Sequence, residues 1–141
     1  MLIRIINGPN LDLVGTREPE VYGTLTFPDL VHELQQAWPD HRFELFQSNH
    51  EGELIEALRA ADVESQGVVL NPGGYTHTSV ALRDALAMLK VPVVEVHLSN
   101  LHGREDFRLR SLTAVHCAGV ISGFGMEGYR LAVDHLLRRQ A

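Results

Sequence analysis

The sequence predicts an α/β domain in which a parallel sheet is covered on both faces by helices. Three observations predict it. Short apolar runs alternate with segments whose apolar residues recur at helical spacing. Several of those runs are apolar throughout, as strands buried on both faces are. The long polar stretches without any pattern follow the first, third and fourth runs, and so fall at one edge of a parallel sheet, where ligands bind.

Leu2–Ile6 is the first predicted strand. Asn7 to Gly23, reading NGPNLDLVGTREPEVYG, then runs without helical or alternating pattern. Unpatterned loops of that length are uncommon in compact domains and are usually functional or disordered. From Thr26, the residues Leu30, Val31, Leu34 and Trp38 lie at helical spacing, and Thr26 with Asp29 forms a capping signature. His41–Gln47 is the second strand, with Phe43, Leu45 and Gln47 on one side. Asn49 is placed to cap a helix carrying Leu54, Ile55, Leu58 and Ala61. Gly67–Leu70 is the third strand and leads into NPGGYTHT, in which Thr78 is expected to cap a helix bearing Leu82, Ala85, Leu86 and Leu89. Pro92–Val96 is the fourth strand, ending in HLSNLHGREDFR. Val115, Ala118 and Val120 form an apolar run that makes Cys117 a core residue rather than a nucleophile, and Val120–Ser122 is the fifth strand. A last helix carries Tyr129, Ala132, Val133, Leu136 and Leu137. Five strands in a chain of this length correspond to a flavodoxin-like doubly wound sheet.

The 141 residues fit a single domain, 1–141. A net charge of −6 argues against general affinity for nucleic acid or anionic membrane, both of which call for clustered basic surface. A small anionic ligand is compatible with it, since a local arginine site is invisible in the sum. A single cysteine allows no internal disulfide, and with no apolar run long enough to span a bilayer and no signal-peptide order at the amino terminus, a reducing cytoplasm is expected.

The three loops hold the groups able to do chemistry. The first offers Asn10, Arg17 and Tyr22. A cation beside a phenol favours the phenolate, so Arg17 could turn Tyr22 into a base; the alternative is a surface loop with a solvated arginine. The loop after strand three offers Asn71, Gly73, Gly74 and His77, either as a tight turn or as backbone that a ligand approaches closely. Glu95 and His97 alternate along strand four and so point to one face, which suggests an imidazole oriented by a carboxylate and able to act as general acid. Ser99 and its neighbouring N–H groups could hold a carboxylate, and Arg104 and Arg108 could make bidentate contacts with an anion. No nucleotide, zinc-protease or nucleophile-elbow motif is present. Glu95, His97 and His102 could hold zinc by composition, but their spacing matches no closed structural site.

With these loops assembled, the sequence resembles the type II dehydroquinases, or 3-dehydroquinate dehydratases, over nearly its whole length. The blocks that carry the resemblance are NGPNLDLVGTREPEVYG, FQSNHEGELIEALRAA, NPGGYTHTSVALRDAL, EVHLSNLHGREDFRLRS and GVISGFGMEGYRLAV. The resemblance implies a flavodoxin-like fold and a cytoplasmic lyase of the shikimate pathway, serving aromatic amino acid biosynthesis. It implies anti dehydration of 3-dehydroquinate to 3-dehydroshikimate through an enolate, with no cofactor and no metal. It further implies a homododecamer built as a tetramer of trimers. By position, Tyr22 matches the family's base, Arg17 its activator, Asn10 the residue holding a water against the enolate, His97 the general acid and Glu95 its supporting carboxylate. Asn71, His77, Leu98, Ser99 and Arg108 match substrate-binding positions, with Gly73 in the same loop, and Asp84 matches a residue reaching a neighbouring subunit's site. The departures are Asp12 in place of Asn, and Gly74 and Gly103 in place of Ala. A non-enzymatic flavodoxin-like binding module is the competing class.

Overall fold

In the computed structural model, which describes residues 1–16, 20 and 23–139, strands and helices alternate along the chain except between the fourth and fifth strands, which short 3-10 turns connect. They are β1 (Leu2–Asn7), α1 (Phe27–Ala37), β2 (Arg42–Gln47), α2 (Glu51–Glu64), β3 (Gly67–Asn71), α3 (Val80–Ala87), β4 (Val93–His97), β5 (Gly119–Ser122) and α4 (Glu127–Arg139). The strands form one sheet in the order β2-β1-β3-β4-β5 with every pairing parallel. This is the doubly wound, flavodoxin-like topology, and its switch point lies between β1 and β3, from which the connections leave in opposite directions.

Alternation along the strands divides the core in two. Ile3 and Ile5 of β1, Val69 of β3 and Val94 and Val96 of β4 pack with Leu30 and Leu34 of α1 and Tyr129, Val133 and Leu136 of α4. Ile6, Val68, Leu70 and Val93 point the other way, onto Leu54 and Leu58 of α2 and Leu82 and Leu86 of α3. Each such Leu or Ile, fully buried, stabilises the fold by roughly 1.5–3 kcal/mol before entropy is counted.

Helix starts follow local chemistry. Thr26 Oγ1 accepts from Asp29 N at 3.2 Å while Asp29 accepts from Thr26 N at 3.0 Å, the reciprocal cap that the sequence indicates. Two other expected caps are displaced by one residue. His50, not Asn49, is the cap position of α2, and it makes no side-chain capping bond. Ser79, not Thr78, caps α3 through Leu82 N. Leu89 lies beyond the end of α3. Cys117 is partly buried and packs against the second of the two core clusters, as expected of a core residue, while Val115 and Val120 of the same run are exposed. β5 is an edge strand, paired with β4 alone.

The strand ends are in register where the loops leave the sheet. Asn7 lies opposite Gln47 on one side and Asn71 on the other, and His97 lies opposite Ser122. The loops after β1 and β3 then cross in contact: Gly8 N donates to Asn71 O at 2.7 Å. A Cβ at Gly8 would run into the Pro72 carbonyl, so only glycine permits this crossing. Gly74, two residues beyond Pro72, has nothing within 4 Å of an added Cβ and an ordinary φ. Gly74→Ala is expected to leave the melting temperature unchanged or raise stability by up to about 1 kcal/mol through the unfolded chain. Gly8→Ala is expected to cost more than about 2 kcal/mol, the range of overpacking, in urea denaturation.

Candidate active site

Outside the carboxyl ends of β1, β3 and β4 lies a cavity of about 490 Å³, within the range of small-molecule sites. The loop after β1 contributes Pro9, Asn10 and Leu11; the end of β3 and the loop after it contribute Asn71, Gly73, Gly74 and His77; the end of β4 and the segment after it contribute His97, Leu98, Ser99, Arg104 and Arg108. A parallel sheet brings these distant segments together because all its strands end on the same edge.

At the floor is an ionisable pair. Glu95 is 0% exposed and His97 5% exposed. His97 Nε2 lies 2.8 Å from a Glu95 carboxylate oxygen. Thr76 Oγ1 donates to the same oxygen at 3.1 Å and Ser111 Oγ at 3.2 Å, while Thr113 donates to the other through a short bond. Burial alone would push the Glu95 carboxyl up, but the bonds from His97 and Thr113, the imidazole's charge and the bond from Thr76 outweigh it and hold the group below its ordinary range. A carboxylate bound to Nε2 fixes the ring's orientation and leaves Nδ1 as the nitrogen free to act on a ligand.

A second buried network supports the loop after β3. Asn71 Nδ2 donates to the Tyr129 hydroxyl at 3.0 Å, and that hydroxyl donates to Asn7 Oδ1 at 2.8 Å. Gly73 N donates to Asn71 Oδ1 at 3.1 Å, which locks the amide the right way round. Burial, against the bond from Asn71, drives the Tyr129 phenol far above its ordinary value. Tyr129 is therefore neutral and unsuited to act as a base.

The rim is basic and polar. His77 Nδ1 bonds the Arg110 carbonyl at 2.8 Å, which presents Nε2 outward, and the ring meets Phe107 edge-on. Arg104 donates to Ser99 Oγ at 3.3 Å. Arg108 pairs with Glu105 at 2.6 Å and lies over the Phe107 ring. The backbone hydrogen bond at Glu105, and then its pairing with Arg108, keep that carboxyl below its ordinary range.

The cavity thus gathers Asn10, Asn71, Gly73, His77, Leu98, Ser99, His97 and Arg108, with Glu95 behind His97. Asp84 is exposed on α3 and is not part of the cavity wall. Arg17 and Tyr22 lie outside the described residues. Sequence reasoning missed the hydroxyls of Thr76, Ser111 and Thr113, which belong to irregular segments whose placement no periodicity encodes. It also read Tyr129 only as part of an apolar helix face. Among the described residues, no group of three or more His, Cys, Asp and Glu side chains is placed to hold a metal ion, and burial together with the Glu95 charge pushes the Cys117 thiol up to about 12.

Fold and site together define a doubly wound α/β protein with a small-ligand cleft at the switch point of its sheet, built over a buried carboxylate–imidazole pair. The family model for class II dehydroquinases matches residues 1–137. The chain is 53% identical to a 3-dehydroquinate dehydratase of Bacillus licheniformis, covering 96% of this chain and 94% of that one. It is 52% identical to one of Chlorobaculum tepidum over 96% of this chain and 93% of the relative. The type II dehydroquinase structure from Butyrivibrio crossotus superposes with a TM-score of 0.90 at 42% identity, covering 97% of each chain. The chain belongs to the class II dehydroquinase family and is an enzyme of that family.

Because the folded Glu95 carboxyl sits below its ordinary value of 4.5, its charge contributes stability that is complete above about pH 4.5 and is lost as pH falls through the folded value. Glu95→Gln is expected to flatten that acid limb in urea denaturation between pH 3 and 6. At neutral pH the variant is expected to cost about 3 kcal/mol, as breaking a buried pair does.

Proposed function

We propose that the protein is a 3-dehydroquinate dehydratase that removes water from its substrate by anti elimination through an enolate. The observation that carries this reading is the Glu95–His97 pair, closed off from solvent on one side and facing the cavity on the other. Similarity to dehydratases over almost the whole chain supplies the substrate.

Tyr22, activated by Arg17, takes the proton beside the ketone. Charge then develops on the ketone oxygen, where a water held by Asn10 stabilises it; one such donor is worth about 3 kcal/mol. His97, oriented by Glu95, gives its proton to the β-hydroxyl, which leaves as water as the enolate collapses to the conjugated enone. Arg108 and the backbone at Leu98 and Ser99 hold the carboxylate end; Asn71, Gly73 and His77 hold the hydroxyls. The acid stands at the end of β4 and the base follows β1 in the sequence, and anti elimination requires the two to act on opposite faces of the ring. No cofactor or metal enters any step.

The domain is a single catalytic unit, residues 1–141, working in the cytoplasm. It assembles as a homododecamer, a tetramer of trimers, with Asp84 reaching the site of a neighbouring copy. Exposure of Asp84 away from its own cavity supports that assignment.

Mixing the protein with 3-dehydroquinate in the presence of a chelator is expected to produce the ultraviolet absorbance of a conjugated enone. Substrate binding without that absorbance would make the protein a binding module instead. Tyr22→Phe is expected to abolish turnover with folding and substrate binding retained, and wild-type turnover there would remove Tyr22 as base. Arg17→Ala is expected to shift the acidic limb of the pH–rate profile upward, because the phenolate loses its neighbouring cation.

A further inference from the structure

Asn10 is the one non-glycine residue with a positive φ among the described residues, at φ 70° and ψ −3°. Asparagine enters that left-handed region more readily than other residues with a Cβ, and Pro followed by Asn is a favoured pair at the centre of such a turn. A contact from outside its own loop adds to that local preference. Asn10 N donates to Asn49 Oδ1 at 3.0 Å. The same oxygen accepts from Gln47 Nε2 at 3.0 Å, and Gln47 Nε2 also reaches the Gly8 carbonyl at 3.1 Å. Asn49 is itself held from the loop after β3, where the Tyr75 hydroxyl donates to its carbonyl at 3.0 Å. Three loops thus meet at Asn49, which is not part of the cavity wall. Its side-chain oxygen serves Asn10 and Gln47 rather than capping α2.

We propose that Asn49 is a positioning residue for the dehydration, setting the Asn10 backbone so that its side chain faces the cavity where the ketone oxygen gains charge. The inference rests on the reading of Asn10 as the residue that holds a water against the enolate. Asn49 then acts on the transition state more than on the bound substrate, and acts only through Asn10.

A double-mutant cycle on the full-length enzyme tests this, with steady-state turnover and thermal melting measured for each variant. Asn49→Ala is expected to lower kcat about tenfold, the size of one hydrogen bond lost at a charged centre, with KM within about twofold. In an Asn10→Ala background the same change is expected to have almost no effect, since coupled residues are not additive. Asn49→Asp keeps the accepting oxygen and sits where the start of α2 favours negative charge, so it is expected to turn over faster than Asn49→Ala. Equal losses of kcat in both backgrounds, a loss confined to KM, no loss at all, or an Asp variant as slow as the Ala variant would each overturn the proposal. If Asn10→Ala alone leaves kcat unchanged, the reading of Asn10 fails first and the role of Asn49 falls with it.

Discussion

A carboxylate buried at the end of the central sheet is the constraint to which much of this molecule answers. Glu95 is wholly shielded from water, and an ionised carboxylate in such a place is tolerable only if its oxygens are bonded. Here they are bonded by His97 from its own strand, by Thr76 from the turn after β3, and by Ser111 and Thr113 from the segment that leads into β5. No single element could supply these donors. The need to satisfy one charge therefore binds three segments to one another and orients the imidazole that faces the cavity.

The opposite wall is fastened differently, by neutral amides. Asn7, Tyr129 and Asn71 form a buried chain that ties β1 to β3 through α4. Gly8 lies against Pro72 where the two loops cross, and Gln47 with Asn49 grips the turn at Gly8 and Asn10 from β2. One wall is thus electrostatic and the other is set by hydrogen-bonded geometry.

Much of the fold was legible in the sequence because its signals are local. Apolar runs, helical spacing and the Thr26–Asp29 cap each depend on residues within a turn or two of one another, and the alternation of strand and helix implies the parallel sheet. The placement of Glu95 and His97 on one face was legible for the same reason, since strand geometry has a period of two. Where local signals were ambiguous, the reading slipped. Asn49 before a helix looks like a cap, and only the proximity of Asn10 and Gln47, each brought there by sheet register, diverts its oxygen. Val120 lies in an apolar run yet is exposed, because the run ends on the sheet's edge strand, whereas Cys117 in the same run packs against the core.

The sequence by itself therefore determined the strand order's raw material, the loops that carry polar chemistry, and the family to which those blocks belong. Tertiary structure alone decided that the hydroxyls of Thr76, Ser111 and Thr113 surround Glu95, that Tyr129 is a buried link rather than a base, and that the Asn10 backbone is bonded by Asn49 from the loop after β2. The reason is physical. Local patterns report which surface a residue presents, whereas the partner of a buried polar group is whatever the closed chain brings within three ångströms of it, on the order of a hydrogen-bond length.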